Sequence, residues 1–425
     1  MNRLIRGGFA RSVVTVASGT AAAQVLMLAA TPVVTRLFSP EHFGVLGAFT
    51  STAVVLAVVA TLRLDLAVVV PADLEDAQDV LLAAVAVTAF MTLVSLVCAA
   101  AAGAVLGGRA AGGVQPAVLY FLPLYVGATG LVQIFTQWLA RRDRFRAVAE
   151  SSLARAAASN GWWLLGGAIA ASSTTLIFGT VIGQAAAVAR SVIAAVRSSP
   201  GLIARRMSFS AAWRQVVRFR AFTVFGTAQG LVNAINQALP VLVLATSFDP
   251  AVAGAYVMAN RVLSLPINLV GQSLRQVLYP RLGRDLESGI ARGTARRMTL
   301  GLGAVTLPAV VLVACLGGPA FAWALGAEWA TAGVFAGLTV VWLGSAFMNI
   351  PSVSLIPLLG LQRFHTAFEI AYLLARALAL AWAAQRGDAL AAVAAVSWIG
   401  AAFNLGLIAY VDRAAGIHAV RLGRP

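Results

Sequence analysis

Lysine is missing from this 425-residue chain, and acids are few: 31 arginines stand against 15 aspartates and glutamates. Only 11% of the residues are charged and 60% are hydrophobic, whereas soluble domains carry about 25% charged residues. Such a chain has too little polar surface to cover a globule in water, which excludes an ordinary soluble domain. With two cysteines, Cys98 and Cys315, both inside apolar runs, a disulfide framework is not expected; they read as free core thiols. The three histidines, His42, His365 and His418, are isolated and read as loop-placed, so no metal cluster is expected. No catalytic triad, P-loop or dinucleotide fingerprint occurs, and without a P-loop the protein does not hydrolyse ATP itself. No catalytic residue, cofactor or enzyme activity is expected.

What the chain does have is apolar runs of about 20 residues, the length that spans a hydrocarbon core. They predict an all-α polytopic membrane protein with spans near 12–34, 43–62, 79–106, 116–139, 151–170, 174–196, 221–246, 252–279, 299–318, 331–358, 367–385 and 389–411. Gly317, Gly318, Pro319 and Gly326 predict an interfacial turn over 319–330. Arg3, Arg6 and Arg11 precede the first run as in a signal peptide, but the run is too long and many spans follow, so an uncleaved first span is expected.

Arginine placement orients the spans. With both termini cytoplasmic, the inside segments hold 23 arginines and the outside ones only Arg36, Arg109 and Arg386. That asymmetry is what the positive-inside rule requires. It also accounts for most of the net charge of +16, which removes nucleic acid as a partner.

One turn is written twice. "FSPEHFG" (Phe38–Gly44) and "FDPAVAG" (Phe248–Gly254) both join long apolar runs, on the outer face in this scheme. Upstream, Gly19-Thr20-Ala21 is echoed by Gly226-Thr227-Ala228, and Pro32 by Pro240. Proline fixes φ at such a turn and glycine lets the next helix start close by. The repeat predicts two six-helix lobes, 1–196 and 221–425, related by an axis along the membrane normal, with substrate held between them. The joint, 197–220, mixes Trp213 and Phe219 with paired arginines. It suits an amphipathic helix on an anionic leaflet, or a plain linker whose charges set topology.

Five arginines remain inside spans. Arg155, Arg190 and Arg275 lie near inner ends and can snorkel. Arg261 and Arg376 lie near mid-depth, where an arginine costs about 3 kcal/mol or more and usually faces a cavity or a partner. Arg261 and Arg275 fall within about 40° of one helix face, about 21 Å apart along the axis. Asn260 and Gln272 add polarity to that helix, as do Asn233 and Gln237, at i and i+4, to the span before it, and Gln133 and Gln137 to span four. Either a wet cationic lumen or interhelical hydrogen bonding explains them. On the first reading the substrate-binding candidates are Arg261, Arg275, Arg376, Asn233 and Gln237. Glu369, the one acid expected clearly inside a span, is the candidate for ion coupling. Asp73, Glu75, Asp76 and Asp79 suit the first turn of span three, where negative charge favours the helix dipole.

A lumen rich in arginine and poor in acid favours an anion, since guanidinium pairs bidentately with phosphate. A phosphate-bearing lipid with a large polar head and a soluble anion both fit.

"PVVTRLFSPEHFGVLGAF" (Pro32–Phe49), "LRLDLAVVVPADLEDA" (Leu62–Ala77), "LIFGTVIGQ" (Leu176–Gln184), "AGAYVMANRVLSLPINLVGQSLRQVLYPRL" (Ala253–Leu282) and "GAEWATAG" (Gly326–Gly333) resemble the Wzx-type polysaccharide-biosynthesis flippases. The resemblance runs in order over most of the chain. It implies the multidrug/oligosaccharidyl-lipid/polysaccharide exporter fold and alternating access. It also implies an undecaprenyl-pyrophosphate-linked oligosaccharide as substrate and a bacterial inner-membrane location, with membrane lipids, glycosyltransferases and a polymerase as partners. Arg36 and the Arg63-x-Asp65 stretch match family patterns but read first as span ends and packing. The alternatives are a multidrug or cation antiporter on the same fold, which would need buried carboxylates, and a non-transporting scaffold of a polysaccharide-synthesis complex.

Overall fold

The computed structural model describes residues 21–105, 116–199, 201 and 209–421. Within them every regular element is helical. α1 (Ala21–Leu37), α2 (Pro40–Thr61), α4 (Leu74–Val105), α5 (Pro116–Arg141), α6 (Phe145–Ile169) and α7 (Ser173–Ser198) fall on the first six expected spans, with the short α3 (Leu64–Ala67) between the second and third. After α8 (Phe209–Arg218) and a π-turn at Phe222–Gly226 come α9 (Thr227–Ser247), α10 (Pro250–Glu287), α11 (Ala291–Leu325), α12 (Ala330–Met348), α13 (Ile350–Leu355), α14 (Gln362–Arg386) and α15 (Ala389–Arg421). Among the described residues 8 helices are long and apolar enough to cross a membrane. The helices α5, α6 and α10 have the length, at 26, 25 and 38 residues, but carry more polar side chains. The protein is thus an all-α, multi-pass membrane protein. Residues 12–20, with the Gly19-Thr20 echo, and Arg3, Arg6, Arg11, Arg109, Arg205, Arg206 and Arg424 lie outside the described residues. The chain divides into two compact units between Ala238 and Leu239, within α9.

The repeated turn is one device used twice. Pro40 and Pro250 each take the first helical position, where the missing N–H costs nothing. The Ser39 N–H donates to His42 Nδ1 at 3.3 Å, and Asp249 Oδ1 accepts from the Ala251 N–H at 2.7 Å. Phe38 is 1% exposed, its ring so close to Gly167 that an added Cβ there would stand 2.6 Å away.

In the first unit α2 and α5 pack on each other and each on α4 and α7, and α6 packs on α7. A cluster at one end gathers Leu64, Val80, Leu81, Trp138, Leu139 and Phe219. The linker region is helical in α8, which packs on α4 and buries Ala212, while Trp213, Arg214 and Arg218 stay exposed. Arginines tie this end together. Arg141 donates to the carbonyls of Val69 and Ala72, each at 3.1 Å, and of Asp73 at 3.3 Å. Arg142 donates to the Ser198 carbonyl at 3.2 Å, satisfying one orphan acceptor at the end of α7. Arg218 pairs with Asp76 at 3.1 Å, and Glu75 and Asp76 occupy the first turn of α4.

In the second unit the predicted turn over 319–330 is confined to the last part of that stretch. α11 runs through Gly317, Gly318 and Pro319 to Leu325, and the chain turns at Gly326, φ 114°, before a 3₁₀ turn at Ala327–Trp329. The glycines serve close helix approach instead: a Cβ at Gly317 would stand 2.5 Å from the Gly333 carbonyl oxygen of α12. The tenth span breaks at Asn349, which donates to Asn404 Oδ1 at 3.1 Å, while Asn404 donates to Ser345 Oγ at 3.1 Å. Cys98 and Cys315 are free, but both are exposed on helix faces rather than in the core. A thiol is apolar enough to face lipid as readily as a core.

Candidate functional site

α10 carries two of the expected residues. It runs as one helix from Pro250 to Glu287, with Pro266 between Arg261 and Arg275. A proline there removes one hydrogen bond and loosens the helix between the two guanidiniums. Arg261 is half-buried, and Arg275 is exposed on the helix surface. Five residues before Arg261, Tyr256 is buried at 1% exposure. Five residues amount to about 140° around an α-helix, so Arg261 leaves α10 on a different face from Tyr256.

Arg376 is the most enclosed of the candidates, at 1% exposure. Its guanidinium carbon lies 5.1 Å from the Trp342 ring centre and 5.0 Å from that of Tyr372, and it donates to the Tyr256 hydroxyl. Trp342 comes from α12, Tyr256 from α10 and Tyr372 from the turn of α14 before Arg376. Aromatic faces therefore hold this cation where a carboxylate would be expected. Desolvated contacts of this kind are worth about 2 kcal/mol each at most sites where they are strong. Trp342 in turn rests on α15, where a Cβ at Gly400 would stand 2.8 Å from its Cγ. One side chain thus links α10, α12 and α14.

Glu369 lies two turns before Arg376 on α14, and one turn after His365, whose Nε2 stands 3.7 Å from Glu369 Oε1. The histidines are not loop residues. His42 sits in the first turn of α2, His365 in that of α14, and His418 near the end of α15. Each helix extends beyond its apolar run, and the histidines occupy the extensions. For the same reason Glu369 is not the only acid inside a long helix. α6 starts at Phe145, which brings in Glu150, bonded to both Arg146 and Arg190. Asn233 and Gln237 are exposed on α9 and bonded to each other, Gln237 Nε2 donating to Asn233 Oδ1 at 2.7 Å. They stand on the first unit's side of the division at Ala238, whereas Arg261, Arg275, Arg376 and Glu369 belong to the second.

Arg63 and Asp65 form a turn with unusual geometry. Leu62 and Arg63 are both left-handed, at φ 45° and 54°. Such residues cost roughly 1–3 kcal/mol and persist only where their surroundings hold them. Here the Arg63 stem lies along Gly230, where a Cβ would stand 3.2 Å from its Nε. Asp65 is 3% exposed, and burial pushes its carboxyl above the usual value of 3.8, opposed by the Arg63 charge.

Known proteins are similar to this chain in sequence or in fold. The succinoglycan biosynthesis transport protein ExoT of Rhizobium meliloti (strain 1021) is 26% identical over 316 residues, 74% of this chain and 62% of that protein. The chain therefore spans less than two thirds of that relative. The lipid II flippase MurJ in its inward closed conformation superposes with a TM-score of 0.75 at 12% identity, over 96% of this chain and 91% of that one. An inward-facing multidrug resistance MATE family transporter of the MOP superfamily gives a TM-score of 0.67 at 9% identity, over 93% and 95%. At these identities the two structures establish the fold alone. A family model described as polysaccharide biosynthesis protein matches residues 33–333, well over half of the sequence, and the chain belongs to that family.

Proposed function

We propose that the protein is a flippase that moves an undecaprenyl-pyrophosphate-linked oligosaccharide from the inner to the outer leaflet of a bacterial inner membrane, for surface polysaccharide synthesis. The halves 1–196 and 221–425, joined by 197–220, work by alternating access, with both termini cytoplasmic. Glycosyltransferases supply its substrate and a polymerase consumes its product. Family membership supports the polysaccharide role. The observation that carries the substrate class is α10, one continuous helix with Arg261 and Arg275 about 21 Å apart along its axis. Two cations at different depths on nearly one face form a path for a pyrophosphate, and Asn233 and Gln237 of α9 offer amides to its sugars. Arg376 stiffens α10 through Tyr256, and Glu369 couples an ion to movement. Covalent chemistry has no part in this scheme.

The test is complementation of a strain lacking its flippase, read as surface polysaccharide with protein abundance measured alongside. Arg261→Ala should abolish export and Arg261→Lys retain part of it, because an ammonium carries the charge without the bidentate fork. Arg275→Ala should be milder. Normal polysaccharide from Arg261→Ala at normal abundance contradicts the proposal.

A further inference from the structure

The first unit holds a second basic site, built from none of the candidates above. Where the α5–α6 turn meets the end of α7, a cleft of about 430 Å³ is lined by Arg144, Arg146, Arg190 and Arg197 against Asp143 and Glu150. Four cations and two anions leave two positive charges unmatched. Glu150 is occupied between Arg146, at 3.1 Å, and Arg190. Among the described residues neither Arg144 nor Arg197 makes an ion pair. Arg144 is also the residue before the first turn of α6, and its side chain does not cap that helix. The cleft therefore offers two unmatched guanidiniums beside a helix start, whereas Arg141, Arg142 and Arg218 nearby in the same unit are tied to carbonyls or a carboxylate.

Its depth points to the ligand. The cleft lies at the ends of α5, α6 and α7, where membrane-crossing helices reach the head-group layer, and basic pockets between helices at that level hold anionic lipid heads. Two unmatched positive charges balance two phosphodiesters, and guanidinium binds each through paired N–H groups. We propose that this cleft binds the two-phosphate head group of an anionic phospholipid, in the leaflet that the orientation proposed above makes cytoplasmic. Binding itself does not depend on transport or on orientation, so it stands or falls separately from the flippase reading.

The experiment uses the full chain, purified in detergent and stripped of lipid, with bound molecules counted by native mass spectrometry. The probes are cardiolipin, phosphatidylcholine and soluble pyrophosphate. Cardiolipin should be retained in preference to phosphatidylcholine, and pyrophosphate should compete only weakly. Arg144→Gln and Arg197→Gln, which break no ion pair, should each weaken cardiolipin binding about fivefold. Glu150→Gln should strengthen it, because it releases Arg146 and Arg190 toward the ligand; a merely structural Glu150 would not move binding in that direction. Equal retention of the two lipids, or wild-type binding by the Arg144→Gln, Arg197→Gln double variant, overturns the proposal. Pyrophosphate competing as well as cardiolipin overturns the lipid assignment in favour of a soluble anion.

Discussion

The foot of the first unit and the middle of the second use arginine in opposite ways. At the foot, Arg141, Arg142 and Arg218 meet backbone carbonyls and Asp76 at 3.1–3.3 Å, close to water. In the second unit Arg376 is sealed between Trp342 and Tyr372, with a hydroxyl as its hydrogen-bond partner. The same side chain is a surface strap in one place and a packed core residue in the other. The difference follows from solvation. A solvated guanidinium gains little from a partner that water could replace, whereas a buried one depends on every contact around it.

Removing each kind should separate them. Arg376→Ala takes away a buried side chain and the anchor of three helices, so a loss of about 3 kcal/mol is expected. Thermal unfolding in detergent would show it, with Arg376→Lys intermediate. A variant as stable as the parent would mean that the aromatic cage closes without its cation. Arg141→Gln should cost only about 1 kcal/mol. Its signature is local: faster hydrogen exchange over residues 69–73, whose carbonyls it holds, with export retained. Unchanged exchange there would show that the strap carries no weight.

The smallest effect concerns pH. Asp65 has its carboxyl raised by burial, with Arg63 acting against that. A folded-state value above the unfolded one means that the native state binds the proton more tightly. Its contribution to stability is full at acid pH, below the unfolded value, and is lost as pH rises through the raised folded value. Asp65→Asn should flatten that slope and be neutral or slightly stabilising at pH 7. A stability that instead falls as acid is added, through this residue, would reverse the assignment.

The spans were legible because length and apolarity alone decide them, and the repeated Phe-x-Pro-x-x-x-Gly turn because a first-turn proline with a polar residue before it has a local cause. Pro319 misled because a proline inside a membrane helix is tolerated when a neighbour packs against it, and Gly333, the neighbour of Gly317, is not in the same run. The cage of Arg376 was invisible for a similar reason: Tyr256 and Trp342 come from other helices. The His365–Glu369 pair, at i and i+4, was within reach of spacing alone, had α14 been extended one turn toward its start.

Whether Arg261 carries pyrophosphate across the bilayer can be measured without a cell. Purified protein is reconstituted into liposomes with a polyprenyl-pyrophosphate oligosaccharide, and the fraction of glycan reachable by an external lectin is followed with time. Wild type should move the glycan, Arg261→Lys should move it more slowly, and Arg261→Ala should match protein-free liposomes. Equal rates for wild type and a folded Arg261→Ala would contradict the role given to this residue and to the anion path along α10.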